Sequence, residues 1–386
     1  MRYILNFYNQ VAAGPIILTK TFLDILFFEI KDNQAEFRII LPKIPSYINL
    51  NLEREKQKNL KIFYLPYCRG FGKLLLLFLY HFFVFPLMVL LFRPRAILIF
   101  GDFAPLPLIS KKIVLMHHSY LVDDELFTNL NFGTKFIESV KRIMFFFTVR
   151  TSKTIVVETG YMKRKTAEKY NIPEKKIHVI KDPISKSLYG YRQEILKERE
   201  NVLHTHRKFV LYISRYAPHK NYNFLLNLAK RYSNKFKDAG VKFYITVDPI
   251  ISREAAEYIK KINLYHLNKI ITNLGEIPHR RLKDYYKKAL CLFFPSESES
   301  FGLPLIEAMA FKLPIVAPAL PYAYSICEDA ALYYMHNDID DAFRKIWELS
   351  QNKSLWEEYS NKSIQQFNKY PTAEEWVERY LNLLKN

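Results

Sequence analysis

The chain has 386 residues, with 57 Lys or Arg against 38 Asp or Glu, a formal net charge of +19. Hydrophobic residues make up 49%, enough to bury large cores, which excludes a disordered or collagen-like chain. At about 150 residues per domain the length suggests two or three domains, and the scattered Cys68, Cys291 and Cys327 exclude a disulfide framework or a CxxC zinc site.

The basic excess is uneven: net +12 over residues 1–183 and +7 over the remainder. Such a surface attracts anionic lipid, phosphorylated small molecules or nucleic acid. No helix-turn-helix, zinc-finger or RNP-type pattern supports nucleic acid, so it is not an expected partner. At the N-terminus, Asn6, Asn9 and Gln10 interrupt a short apolar run and Gly14-Pro15 breaks the next, so no signal peptide is expected.

Short runs rich in β-branched and aromatic residues alternate with helical segments. In the first half the expected strands are Tyr3–Phe7, Phe37–Leu41, Lys61–Leu65, Ala96–Phe100, Ile113–Met116, Thr154–Glu158 and Ile177–Ile180. Residues 74–92 carry no formal charge over 19 positions, long enough to span a bilayer. Pro86, Tyr80 and His81 interrupt them, so a buried core helix is the main reading and an interfacial position the intermediate one. Over 133–150, Phe136, Val140, Ile143, Met144 and Phe147 recur at helical spacing, flanked by Lys135, Lys141, Arg142 and Arg150. A basic amphipathic helix of this kind either packs on its own sheet or lies in lipid headgroups. Together the two segments point to an anionic membrane surface as a partner and to a cytoplasmic protein, peripheral on the inner face of the cell membrane.

Asp182 to Arg207 is polar and strand-poor, and 184–207 reads as a linker. Strands resume at Phe209–Ser214, Lys242–Val247, Lys269–Leu274, Cys291–Phe294, Pro314–Ala317 and Ala331–Tyr334, with helices Asn223–Lys237 and Arg253–Leu264 among them. Near-continuous apolar strands alternating with helices predict doubly wound α/β domains. The domains are then 1–183 and 208–370, with an amphipathic helix over 371–386 crossing back to the first. Ligands of such sheets bind at the carboxyl ends of strands.

Two segments at such ends carry chemistry. In FPSESESFGLPLIEAMAFKLPIVAP (294–318) a strand ends, a loop follows, and Ser300-Phe301-Gly302-Leu303-Pro304 opens a helix. Helix N-termini present free N–H groups that suit phosphate oxygens, and Gly302 allows close backbone approach. Glu299 and Glu307 flank the turn, and a carboxylate can accept from both hydroxyls of a diol. In FVLYISRYAPHKNY (209–222), Arg215 and Lys220 follow a strand, and Asn221 can cap the next helix. Two cations there can hold a diphosphate and neutralise it as a leaving group.

Together these segments resemble the family 4 retaining glycosyltransferases, whose fold is GT-B: two Rossmann-like doubly wound α/β domains across a cleft. The resemblance is good over most of 208–318 and extends elsewhere only in element order. Ser214 and Ser300 stand where the family has glycine. The resemblance implies that Arg215 and Lys220 bind the donor diphosphate, that Glu307 binds ribose hydroxyls, and that Glu299 with Ser300 and the amides of Phe301, Gly302 and Leu303 contacts donor sugar and phosphate. Gly275, Glu276 and Ile277 would frame the base. In the first half, Gly14 stands for the family's glycine-rich loop, and a histidine after Ile113–Met116, His118 in preference to His117, would lie near the transferred sugar. The implied activity is retaining transfer from a UDP- or GDP-linked sugar to a glycan or lipid-linked acceptor in cell-surface polysaccharide or lipopolysaccharide synthesis. No cofactor or metal is expected. Asp338-Ile339-Asp340 looks like a DxD metal motif but reads better as a helix cap, and Asp123-Asp124-Glu125 as a helix start. A nucleotide-sugar epimerase of similar architecture and a non-catalytic membrane or nucleic-acid binder are the alternatives.

Overall fold

The structure is a computed structural model describing residues 1–29, 35–48, 59–68, 72–128, 130–201 and 209–386. It divides into two compact units, Met1–Ser185 with Pro371–Asn386, and Lys186–Tyr370.

The first unit is built on a seven-stranded parallel sheet. Its strands are β1 (Arg2–Asn6), β2 (Glu36–Pro42), β3 (Leu60–Leu65), β4 (Ala96–Phe100), β5 (Lys111–Leu115), β6 (Thr154–Val157) and β7 (Ile177–Val179), in the order β3-β2-β1-β4-β5-β6-β7. Winding reverses between β1 and β4. Alternate strand residues supply two cores, as a period of two requires. Ile4, Ile97, Ile99, Val114 and Ile155 face Phe85, Val89, Phe92, Phe145 and Val149. On the other side Phe22 and Phe100 meet Trp376 and Tyr380 of the C-terminal helix Ala373–Lys385 at ring distances of 5.0 to 6.0 Å, and Phe7 packs on Phe100 at 4.8 Å. That helix starts in a reciprocal cap. Thr372 Oγ1 accepts from Glu375 N at 3.2 Å, and a Glu375 carboxylate oxygen accepts from Thr372 N at 2.9 Å.

Residues 74–92 are neither one regular helix nor a buried one. Helices Gly72–Leu79 and Phe85–Phe92 flank a π-helical turn, Tyr80–Val84. Pro86 has no N–H for the Phe82 carbonyl, and the wider turn absorbs that loss, with Phe85 N–H bonding Tyr80 O instead. Tyr80 and His81 turn inward with Phe85, Val89 and Phe92, while Leu75, Phe78, Phe83, Leu87, Leu90 and Leu91 stay exposed. The amphipathic helix Phe132–Thr151 likewise buries Phe145 and Val149 and exposes Phe136, Ile143 and Phe147.

The second unit has a six-stranded parallel sheet of β8 (Phe209–Tyr212), β9 (Lys242–Ile245), β10 (Ile271–Asn273), β11 (Cys291–Phe293), β12 (Ile315–Pro318) and β13 (Ala331–Tyr334), ordered β10-β9-β8-β11-β12-β13. Its strands are buried on both faces, with Phe224, Phe243, Phe293 and Tyr334 in ring contact at the centre.

The sequence reading also differs in the linker, in one helix and at several strand ends. The expected linker contains helix Lys186–Asn201, which packs in the second unit and whose Arg192 Nε donates to Ala310 O at 3.2 Å. Its polarity marks a surface helix rather than a connector, and 202–207 lie outside the described residues. The expected helix Asn223–Lys237 is two, Tyr222–Arg231 and Ser233–Asp238, because Tyr232 leaves helical geometry to stack on Phe343 at 3.7 Å. Several strands stop one or two residues early. Phe7, Ser214 and Phe294 are loop residues, which places the functional side chains beyond the ladder.

Candidate active site

Winding in the second sheet reverses between β8 and β11, so the two motif-bearing loops leave adjacent strands at the switch point, where doubly wound sheets take ligands. The loops are bonded together. Ser296 Oγ donates to His219 O at 3.0 Å and Glu297 N to the same carbonyl at 2.8 Å. Tyr222 Oη donates to Ser214 O at 2.6 Å, which anchors the start of the first loop. Asn221 does not cap with its side chain. It takes a left-handed backbone, φ 51°, as the chain turns into helix Tyr222–Arg231.

Lys220 and Glu299 form a largely buried ion pair. Burial alone would raise the Glu299 carboxyl; Lys220, then His219 and Ser296, outweigh it and hold the group below its ordinary range. Arg215 is exposed, and its guanidinium bonds to no described residue, so its five donors are available to a ligand. Gly302 has φ +76° and precedes helix Leu303–Ala310. A Cβ there would lie 3.2 Å from Leu305 Cδ1 and 3.6 Å from Glu299 Cγ, which places Glu299 against the turn. Phe301 is buried and packs on Tyr370 at 6.0 Å, so the turn is set from below.

Glu307, on the same helix, is buried and already engaged. Tyr286 Oη donates to Oε2 at 2.7 Å, and His279 Nε2 lies 2.8 Å from Oε1. Burial would lower the His279 pKa, but the Glu307 charge and hydrogen bond raise it above the ordinary value. Neither Tyr286 nor His279 was legible as a site residue. His279 follows the loop of Gly275, Glu276 and Ile277, in which Gly275 has φ +67° and Asn273 Oδ1 accepts from Gly275 N at 3.2 Å and Val247 N at 3.0 Å. The His279–Glu307 pair therefore ties that loop to the helix of the second motif. Glu276 is exposed and Ile277 half-buried.

In the first unit Gly14 lies in the first turn of helix Ala13–Glu29, not in a left-handed loop. The switch point there is made by other residues. Asn9 Nδ2 donates to Gly101 O at 2.7 Å and lies 3.4 Å from the buried His81 Nε2. Gly101 has φ +125°, and a Cβ would lie 2.6 Å from Asn9 Cβ. Burial lowers the His81 pKa to about 3. His118 is the more exposed of the paired histidines. Its Nε2 lies 2.8 Å from Glu138 Oε2, and Lys141 Nζ donates to Oε1 at 2.6 Å. Burial works against the Glu138 charge, but His118 and then Lys141 bring its pKa down to about 2. Asp123 Oδ1 accepts from Leu126 N at 3.1 Å and Asp124 pairs with Arg142 and Lys169, as suits a helix start. Asp338 accepts from Asp340 N and Asp341 N as a helix cap.

The chain matches the family model for glycosyl transferases group 1 over residues 194–366. The O-antigen chain mannosyltransferase RfbU of Salmonella typhimurium is 28% identical over 240 residues, 61% of this chain and 60% of that protein. The chain thus spans about three fifths of that relative. Sucrose-phosphate synthase from Thermosynechococcus elongatus superposes with a TM-score of 0.76 at 14% identity, covering 100% of this chain and 98% of its own. Anabaena Alr3699/HepE, solved in complex with UDP and glucose, superposes at 0.70 with 13% identity and complete coverage of both chains. The fold is GT-B.

Proposed function

We propose that this protein is a retaining glycosyltransferase that moves a sugar from a UDP- or GDP-linked donor to a glycan or lipid-linked acceptor in surface polysaccharide or lipopolysaccharide synthesis. The observation that carries this reading is the pair of bonded loops at the β8/β11 switch point. One supplies Arg215 and Lys220, and the other supplies Glu299 and the amides around Gly302. A diphosphate there meets a free guanidinium, an ammonium it can share with Glu299, and the N–H groups opening a helix. As the glycosidic bond breaks, charge develops on the leaving phosphate, and these groups stabilise it without a metal at the diphosphate. The leaving phosphate then takes the acceptor proton on the same face of the sugar, which accounts for retention. Glu307 accepts from the ribose through lone pairs that Tyr286 and His279 leave open.

The family relationship of residues 194–366 and the names of the similar proteins support this reading. The exposed apolar sides of 75–91 and 136–147 support a peripheral membrane position, since their opposite sides join one core and so lie over one sheet face. Titration of the purified protein with UDP and GDP separately, and NMR of the anomeric proton in the product, test the proposal. Micromolar affinity for one nucleotide, abolished in Arg215→Ala, and a product keeping the donor's anomeric configuration are expected. An inverted product, or unaltered nucleotide affinity in Arg215→Ala, refutes it. Leu87→Ser with Leu91→Ser should weaken sedimentation with anionic vesicles without changing nucleotide affinity.

A further inference from the structure

The carboxyl ends of β5, β6 and β7 each deliver one ionisable side chain to a single buried place: His117, Glu158 and Asp182. One ligand atom from each lies within 4.8 Å of the others. Glu158 is 3% exposed and Asp182 fully buried. His117 Nδ1 lies 3.0 Å from Glu158 Oε1, close to the roughly 3.3 Å between neighbouring ligands on a tetrahedral zinc with bonds of about 2.0–2.1 Å. Both Asp182 carboxylate oxygens and His117 Nε2 are buried without a hydrogen-bond partner. Asp182 has no lysine or arginine partner among the described residues.

Two carboxyl groups held together away from water require positive charge or a proton. A water molecule would satisfy hydrogen bonds but not charge. The surroundings favour a cation. Trp376 Nε1 and Tyr380 Oη are fully buried donors without a partner, and both belong to the helix packed beside the cluster. Such donors orient carboxylates whose other oxygens hold a metal.

We propose that His117, Glu158 and Asp182 bind one divalent transition-metal ion, with one imidazole nitrogen and two carboxylates as the donor set of a zinc site. Its role is structural. It joins the ends of three strands of the first unit and, through Trp376 and Tyr380, the C-terminal helix. The residues all belong to the first unit, so the proposal is independent of the diphosphate site in the second.

The test uses the full chain without an affinity tag, stripped with a chelator and titrated with Zn²⁺ alone and with Mn²⁺ alone. One equivalent of Zn²⁺ should remain after dialysis, measured by plasma emission, and should raise the melting temperature by several degrees. Asp182→Asn and Glu158→Gln should each weaken Zn²⁺ binding at least about 100-fold, and Trp376→Phe about 10-fold. Asp182→Asn removes a buried charge, so its metal-free form should melt no lower than the metal-free wild type, which keeps the comparison valid. Zn²⁺ retention equal in wild type and Asp182→Asn overturns the proposal. So does a protonated carboxyl stretch in the infrared that Asp182→Asn removes while Zn²⁺ leaves it unchanged, because the cluster would then share a proton instead.

Discussion

Lys220→Met tests the electrostatics of the donor loops most directly. It removes the ammonium that faces Glu299 and leaves a side chain of similar length. The Glu299 carboxylate, 9% exposed, then lies in a buried place with only His219 and Ser296 opposing desolvation, and it takes up a proton in preference to staying charged. Protonating a carboxyl of ordinary pKa 4.5 at pH 7 costs about 1.4 kcal/mol per unit, or about 3 kcal/mol. The variant should therefore lose about 3 kcal/mol at pH 7, within the roughly 3–5 kcal/mol found when one partner of a buried pair is removed, and less than about 1 kcal/mol at pH 5. The pH slope reverses as well. In the wild type the depressed Glu299 pKa contributes stability above about pH 4.5, lost as pH falls through the folded value. In Lys220→Met the carboxyl is raised, so stability falls as pH rises above that point. Equilibrium urea unfolding between pH 5 and pH 8 measures both effects, and Lys220→Met with Glu299→Gln should recover most of the loss. A penalty below about 1 kcal/mol at pH 7, or one that does not shrink toward pH 5, refutes the reasoning.

Glu307→Gln should return the His279 pKa toward its ordinary 6.5, seen by NMR titration of the ring protons. In the wild type the raised His279 pKa contributes stability that is complete below pH 6.5 and lost as pH rises through the folded value, a slope the variant should lack. Gly302→Ala should cost about 1–2 kcal/mol for an L-residue at φ +76°, with the Leu305 contact relaxed by rotamer change, and calorimetry measures it; no loss would mean that the left-handed turn is not held. Trp376→Ala should cost about 3–5 kcal/mol and open the chain to limited proteolysis near Pro371, since the indole is fully buried against Phe22 and Phe100.

Much of the site was legible because its residues occupy defined offsets from strand ends. Arg215, Lys220, Glu299, Gly302 and Glu307 all lie on or beside the two loops at the switch point. Their partners were not legible. Tyr286 reaches Glu307 from 21 positions away and His279 from 28, and nothing in local periodicity marks either. The same holds for Asn9, Gly101 and His81 in the first unit, which replace the loop expected around Gly14. His118 stood out as a loop histidine, but its Glu138 and Lys141 partners come from a helix that read only as amphipathic.

Local sequence determined the strands of the two sheets and their parallel character, because β-branched and aromatic runs of three to seven residues in such sheets are covered on both faces. It also determined the helix starts at Asp338 and Thr372, since a cap needs only atoms three residues apart. Tertiary structure decided which charges stay free. Lys220 is engaged and Arg215 is not, although both are basic residues in one loop, because only Lys220 meets a carboxylate delivered from 79 positions away. Tertiary structure also gathered His117, Glu158 and Asp182 from three strand ends. Pair energies in a low-dielectric interior depend on distance and desolvation, and neither is set until the sheet has formed.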